Sequence, residues 1–493
     1  MRSSQGCRQI CLLHKAPRVF LHNNLLPYLH SWSNITVNES MANYSETLWT
    51  EYKSGKDAGD EKNHKDLTEY LSNPDDSKKD LVRFHYADKE DVLDAVSYEK
   101  GGRVLNMLRN YVGDSAFFKS LHLYLETNKF KTGEAQQLRL AFEEVTGQDL
   151  NWFWNQWYYG NGHPVLDISY TYDDKAGKAS VIVQQTQETG KIFILPIAID
   201  VYTGDSKSRT KVWIQDKTDT FTFSYTKRPD LINVDADKIL LCEKTDNKTA
   251  ANFIYQMKYA PYYLDRMEAL EYFSKNDMPE LALGLKDKYP GLRTYTIDQL
   301  VQSKHIKDDA VIKSIETIAT TDPDKKTQAE ALKFLAQLAD LKYLTIFKQY
   351  VSDSSYSVAG ASLEGLAILE PINAYPLAKQ YSSDAKGTLG EVVIAVIVEK
   401  GSPDDYDYIS NYYDELPGAQ DKLDMSDAYC TYLSKLTDIA RIKKGIDAVI
   451  SFGKTIPAQY RTFTDPALKN SLNKIALSLG TEISNYIDAQ WGQ

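Results

Sequence analysis

Two short stretches carry side chains that could do chemistry. The first is Trp32-Ser33-Asn34-Ile35-Thr36-Val37-Asn38-Glu39-Ser40-Met41-Ala42-Asn43-Tyr44-Ser45-Glu46. Asn38 can cap a helix whose first turn would hold the Glu39 carboxylate and aim it into a cleft. A glutamate opening an amphipathic helix otherwise sits on the surface. In the second stretch, Ser97-Tyr98-Glu99-Lys100-Gly101-Gly102 leads into a helix marked by Val104, Leu105 and Leu108, and Tyr98 by itself is one tyrosine among 34. A third set, Cys7, Cys11, His14, His22 and His30, is metal-capable, with tolerable Cys-x-x-x-Cys-x-x-His spacing. No periodicity fixes its geometry. His85 and His122 read as local hydrogen-bonders in helical context. The chain has no Walker loop, dinucleotide fingerprint, nucleophile elbow or EF-hand sequence.

The elements that must position these residues can be read from periodicity. From Met1 to Asn38 there is no Asp or Glu, while Arg2, Arg8, Lys15 and Arg18 are present, so residues 1–31 read as a basic leader unrelated to the rest of the chain. Residues 32–163 are helical. Met41, Ser45, Leu48 and Tyr52 share one expected face, and Val104, Leu108 and Tyr111 repeat at three-to-four spacing. Over 164–246 the period becomes two, as in Ile168/Tyr170/Tyr172, Val181/Val183 and Phe221/Phe223/Tyr225. Turn signals such as Asp173-Asp174-Lys175-Ala176-Gly177 and Thr203-Gly204-Asp205 separate the runs, so six or seven short strands form a small β-sandwich. Helices return over 247–493. There Leu332, Leu335, Ala336 and Ala339 form one stripe after an Asp322-Pro323 start signal, which suggests a helical-repeat array. The fold class is mainly α with one β domain.

The first stretch resembles the third zinc-ligand helix of the gluzincin (thermolysin-like) aminopeptidases, the family of aminopeptidase N and leukotriene hydrolase, which carries Asn-Glu-Gly/Ser-x-Ala-x-Tyr-x-Glu there. The resemblance implies that Glu39 is a zinc ligand. Tyr98-Glu99-Lys100-Gly101 resembles the family's Tyr-x-Lys-Gly segment, which implies that the Tyr98 hydroxyl stabilises the oxyanion of a tetrahedral intermediate, a role that suits a neutral phenol. Trp152-Phe153-Trp154-Asn155-Gln156-Trp157, followed by Gly160-Asn161-Gly162-His163-Pro164-Val165, is similar to the family's exit from its catalytic domain into a β-sandwich. The tryptophans read as core and His163 as a structural turn residue. The resemblance further implies a HEAT/ARM-like helical array, a Zn2+ cofactor, peptide substrates and release of N-terminal residues by zinc-activated water.

The family's His-Glu-x-x-His is missing. Counted back from Glu39 by the family's spacing, its positions fall on Ala16, Pro17 and Phe20, and none of the eight histidines is followed by glutamate. The family's N-terminal domain and its Gly-x-Met-Glu-Asn loop are also not found. The expectation is therefore the C-terminal portion of such an enzyme, inactive as written. The alternative is a non-catalytic peptide- or protein-binding module built on the β-sandwich and helical array. A net charge of −11 argues against a nucleic-acid partner, and no apolar run is long enough to span a membrane. The four cysteines are too few and scattered for a disulfide framework.

Overall fold

The computed structural model describes residues 28–29 and 31–492. Except for residues 28, 29 and 31, the basic leader lies outside the described residues, and with it the metal-capable Cys7, Cys11, His14, His22 and His30 and positions Ala16, Pro17 and Phe20. Tyr28–Leu29 (β1) pairs in parallel with Thr132–Gly133 (β2). The described chain is mostly helical with small sheets, and it divides into two compact units, Met1–Leu292 and Arg293–Gln493.

In the first unit, Ile35–Ser54 (α1) ends at Gly55, whose φ of 94° lets the chain reverse at once into Lys56–Ser72 (α2). The helix begins at Ile35, so Asn38 is interior to it and Glu39 lies in its second turn, not its first. Asn34 stands at the boundary, but its side chain accepts a hydrogen bond from Ala135 N at 3.1 Å instead of capping. The buried face of α1 also differs from the expected stripe. It runs through Val37, Ser40, Tyr44, Thr47 and Leu48, whereas Met41 and Ser45 are half-buried and Tyr52 is exposed. The reason is that α1 is covered on two sides, by α2 and by Gly101–Val112 (α3), and the second contact selects small polar residues over apolar ones.

Asp114–Asn128 (α4), Ala135–Thr146 (α5) and Asn151–Trp157 (α6) complete the helical layer. Phe117 packs edge-on to Phe142 with centroids 5.6 Å apart. Trp154 and Trp157 are buried, and the Trp154 indole donates to Ala135 O at 2.9 Å, which satisfies its one polar atom. Trp152 is half-buried at the edge of this core.

Seven strands come next: Val165–Asp173 (β3), Lys178–Gln185 (β4), Leu195–Thr203 (β5), Ser206–Ile214 (β6), Thr218–Ser224 (β7), Leu231–Val234 (β8) and Glu243–Asp246 (β9). They form a four-stranded sheet, order β7-β4-β3-β9, and a three-stranded sheet, order β6-β5-β8. Ile168 opposes Val183, and Val181 opposes Phe221. The inward residues of both sheets, among them Ile168, Val181, Ile199 and Val234, join one core with the helices. Strand β9 is parallel to β3, so the chain returns beside the strand that opened the sheet. Ala250–Tyr259 (α7) and Tyr263–Lys275 (α8) then pack together, with Phe253 stacked on Tyr272 at 4.3 Å.

The second unit is all helical among its described residues. Lys325–Gln337, Tyr356–Leu369, Gly387–Lys400, Ala419–Leu433 and Ala458–Leu479 each pack on the next in that row. Leu332, Leu335 and Ala336 are buried as expected, but Ala339 lies beyond the helix end, exposed, at φ 50°.

Candidate active site

Tyr98 sits on a widened turn. Over Val96–Lys100 the backbone is π-helical: Lys100 N reaches back five residues to Ala95 O at 2.9 Å, while Tyr98 N donates to Asp94 O at 3.2 Å. Such single π-turns are often found at functional sites. A brace on one side holds this turn. The Arg83 guanidinium grips Asp94 through two bonds, at 2.7 and 2.8 Å, and Lys79 Nζ adds a third at 2.9 Å. Burial acts to raise the Asp94 carboxyl, but these donors hold it below its ordinary range. Arg83 also donates to Ser97 Oγ at 2.6 Å, and that hydroxyl donates to Val92 O at 2.6 Å.

On the other side the turn is pressed onto α1. The Ser40 hydroxyl donates to Ser97 O at 2.9 Å and shares a 2.8 Å bond with Thr36 Oγ1. A side chain at Gly101 would overlap Ser40, and one at Gly102 would overlap the Asn43 amide. The two glycines are therefore what allow α3 to approach α1 at backbone distance. Ser40 follows Glu39 directly, so the same contact brings Glu39 to Tyr98.

The Tyr98 hydroxyl lies beside the Glu39 carboxylate, near enough for each to shift the other's proton affinity. Burial raises the Glu39 carboxyl above its ordinary range, and the nearby Tyr98 hydroxyl partly offsets this. Burial, followed by the nearby Glu39 charge, pushes the Tyr98 phenol up to about 12. Tyr98 is thus a neutral donor at physiological pH, and its proton can be offered to an oxygen on which negative charge develops. The structure brings the two residues singled out in the sequence together. The sequence reading missed Arg83, Asp94 and Ser97, whose charge and hydroxyl pattern is too common to stand out; the Gly101-Gly102 pair was the visible signal of a close crossing.

His163 is buried, with Nδ1 3.0 Å from the Tyr70 hydroxyl and Nε2 2.9 Å from the Glu243 carboxylate, so it joins the helical layer to β9. His85 is exposed in a loop, not in a helix, and His122 is exposed on α4.

A protein zinc site takes three or four ligands, of which a catalytic site keeps one position open. Among the described residues no three His, Cys, Asp or Glu side chains gather where they could hold a metal ion. Glu39 therefore supplies one carboxylate, and the described donor set does not fit zinc by itself.

Residues 25–157 match the peptidase family M1 domain. That segment is thus similar to the M1 peptidases, in keeping with its resemblance to the gluzincin aminopeptidases. Aminopeptidase M1-C of Oryza sativa subsp. japonica is 28% identical over 130 residues, which cover 26% of this chain and 15% of the rice protein. Aminopeptidase N of Haemophilus influenzae is 36% identical over 89 residues, 18% of this chain and 10% of that protein. The matches thus span a small fraction of these relatives' length. Legionella pneumophila aminopeptidase A, solved in complex with aspartic acid, shares the fold with a TM-score of 0.51 at 11% identity, over 96% of this chain and 64% of that one. No described helix is long and apolar enough to cross a membrane.

Proposed function

We propose that this chain carries the carboxylate-ligand and oxyanion-donor side of an M1-type zinc aminopeptidase acting on peptides, and that by itself it does not hydrolyse them. The observation that carries the reading is the juxtaposition of Glu39 and Tyr98, residues distant in sequence that the Ser40–Gly101 approach and the Ser40–Ser97 bond bring side by side. In this reading Glu39 is the third zinc ligand and Tyr98 donates to the oxyanion, while the two imidazoles and the general base would have to come from sequence outside this chain. Residues 32–163 then belong to the catalytic domain and 164–246 to a β-sandwich. Residues 247–493 form a HEAT/ARM-like array, in keeping with the row of helices in the second unit.

The experiment has two arms. The purified chain is dialysed exhaustively, then assayed for zinc by elemental mass spectrometry and for aminoacyl-anilide turnover; well below one zinc per chain and no turnover are expected. In the second arm, residues 1–31 are replaced by the corresponding upstream part of Haemophilus influenzae aminopeptidase N. This chimera is expected to hold zinc and turn over substrate, to lose zinc on Glu39→Ala, and to lose roughly 100-fold or more in kcat on Tyr98→Phe with zinc retained. Robust turnover by the unmodified chain, or a chimera indifferent to both substitutions, overturns the reading.

A further inference from the structure

The seam between α1 and α2 opens into a polar cavity of about 280 Å³ that has no part in the Glu39–Tyr98 pair. The register of the two helices is fixed by Asn43 Nδ2 donating to Asp66 Oδ1 at 3.4 Å. One turn further along α1 is Thr47, and one turn back along antiparallel α2 is Asn63, so the two face the same space; both line the cavity. Each residue is only 4% exposed. Thr47 Oγ1 and Asn63 Oδ1 are buried without a hydrogen-bond partner in the protein. The Thr47 hydroxyl even forgoes the bond to the carbonyl four residues back that Ser45 makes to Met41 O at 2.7 Å and Ser120 to Ala116 O at 2.8 Å. A buried polar atom left unsatisfied costs about 1–3 kcal/mol, so two at one cavity call for an occupant.

The chemistry of that occupant is set by the donor and acceptor balance. Asn63 Oδ1 can only accept, Thr47 Oγ1 has lone pairs to accept with, and the walls add the carboxylates of Glu51, Asp60, Asp114 and Asp237, each already held by one cation (Asp237 by Arg209 at 2.7 Å) with lone pairs to spare. The cations of the walls are already engaged. Arg109 donates to Glu51 at 3.1 Å and to Asp114 at 2.8 and 3.1 Å, Lys238 donates to Asn233 and Glu268 at 3.0 Å each, and Lys56 is paired with Asp60. Burial raises the Asp60 carboxyl above its ordinary range, partly offset by Lys56, with Glu51 and Asp57 adding to the rise. A single water takes about 30 Å³, so the space suits a small organic molecule better than one solvent molecule.

We propose that this cavity binds a small primary amine as its ammonium, whose three N–H donors are met by Thr47 Oγ1, Asn63 Oδ1 and a wall carboxylate. The site stands independently of the peptidase reading. Thr47 lies eight residues beyond Glu39 on one helix, about 12 Å along its axis, so the ligand occupies the far end of the element that carries the carboxylate.

The test is calorimetric titration of the full chain with n-propylammonium chloride, tetramethylammonium chloride at equal ionic strength, and trialanine. Propylammonium is expected to bind saturably, and tetramethylammonium, which has no N–H donor, is expected not to. Thr47→Val should weaken binding about tenfold or more with the circular-dichroism spectrum unchanged, and Thr47→Ser should retain it. If Thr47→Val does not fold, Glu51→Gln reads the same loss from the cavity wall. Trialanine binding as well as propylammonium identifies a peptide N-terminus as the source of the ammonium, and binding of propylammonium alone identifies a free amine; either supports the site. Equal binding of tetramethylammonium, no saturable binding of any primary amine, or affinity unchanged in the variant overturns it.

Discussion

The helices around Glu39 and the helices beyond Arg293 are held by different chemistry. Where α1 meets α3, the contact is made by a serine hydroxyl, an asparagine amide and two glycines, with Ser40 bonded to a backbone carbonyl. In the second unit the row of helices meets through Leu332, Leu335, Leu363, Val393 and Ile397, all essentially buried. Glycine is used there too, but Gly365 fits under the Phe347 ring, 2.6 Å from where a Cβ would stand. A polar, small-residue crossing buries less apolar area and so contributes less stability. In return it fixes translation and rotation through directional bonds, which is what a donor–acceptor pair such as Tyr98–Glu39 needs. An apolar seam is stronger and less particular about exact placement.

The contrast can be broken by experiment. The largest expected effect lies in the apolar unit: Leu335→Ala should cost about 3 kcal/mol by removing a fully buried side chain, read as a lower urea midpoint with loss of exchange protection over Lys325–Gln337. At the polar crossing, Gly101→Ala should cost about 2 kcal/mol through overlap with Ser40. Adding Ser40→Gly should recover part of that loss; a strictly additive double mutant would show that the crossing is not the source. Asp94→Asn, which keeps the shape but removes the charge gripped by Arg83 and Lys79, should cost roughly 1.5 kcal/mol.

The effect that is smallest at any one pH step is in the pH dependence of stability. Lys100 is fully buried, its Nζ 5.4 Å from the Tyr70 ring centroid and 3.5 Å from Lys79 O, and burial, with Lys191 nearby, pushes its pKa down to about 7. The unfolded lysine keeps its proton to about pH 10.4, so between pH 7 and 10 the unfolded state binds more protons and stability rises with pH. Below pH 7 the whole penalty is present. Lys100→Met should flatten this slope by at most about 1.4 kcal/mol per pH unit, measured by urea unfolding across that window. An unchanged slope would place the charge of Lys100 in solvent.

Much of the candidate site was legible because it is local. The fifteen residues from Trp32 to Glu46 and the Tyr98–Gly102 run carry their own signature, and the tryptophans of α6 were recognisable as core. The face of α1 was not legible. Met41, Ser45, Leu48 and Tyr52 obey helical spacing, yet the buried side runs through Val37, Ser40, Tyr44 and Thr47, because periodicity reports apolar faces and α1 is covered partly by polar contacts. The brace of Arg83, Asp94 and Ser97 was equally hidden, since charged residues in a charged loop look alike until their partners are placed.

The sequence by itself determined the residue types at Glu39 and Tyr98, the absence of His-Glu-x-x-His, the change of period near residue 164 and the return to helix near 250, because these are properties of adjacent residues. Only the tertiary structure decided that Glu39 meets Tyr98, that Lys100 is buried without a carboxylate partner, that β9 runs parallel to β3, and that Thr47 and Asn63 open on one cavity. Each of these depends on two segments far apart in the chain meeting at a separation set by packing. No local pattern encodes that separation.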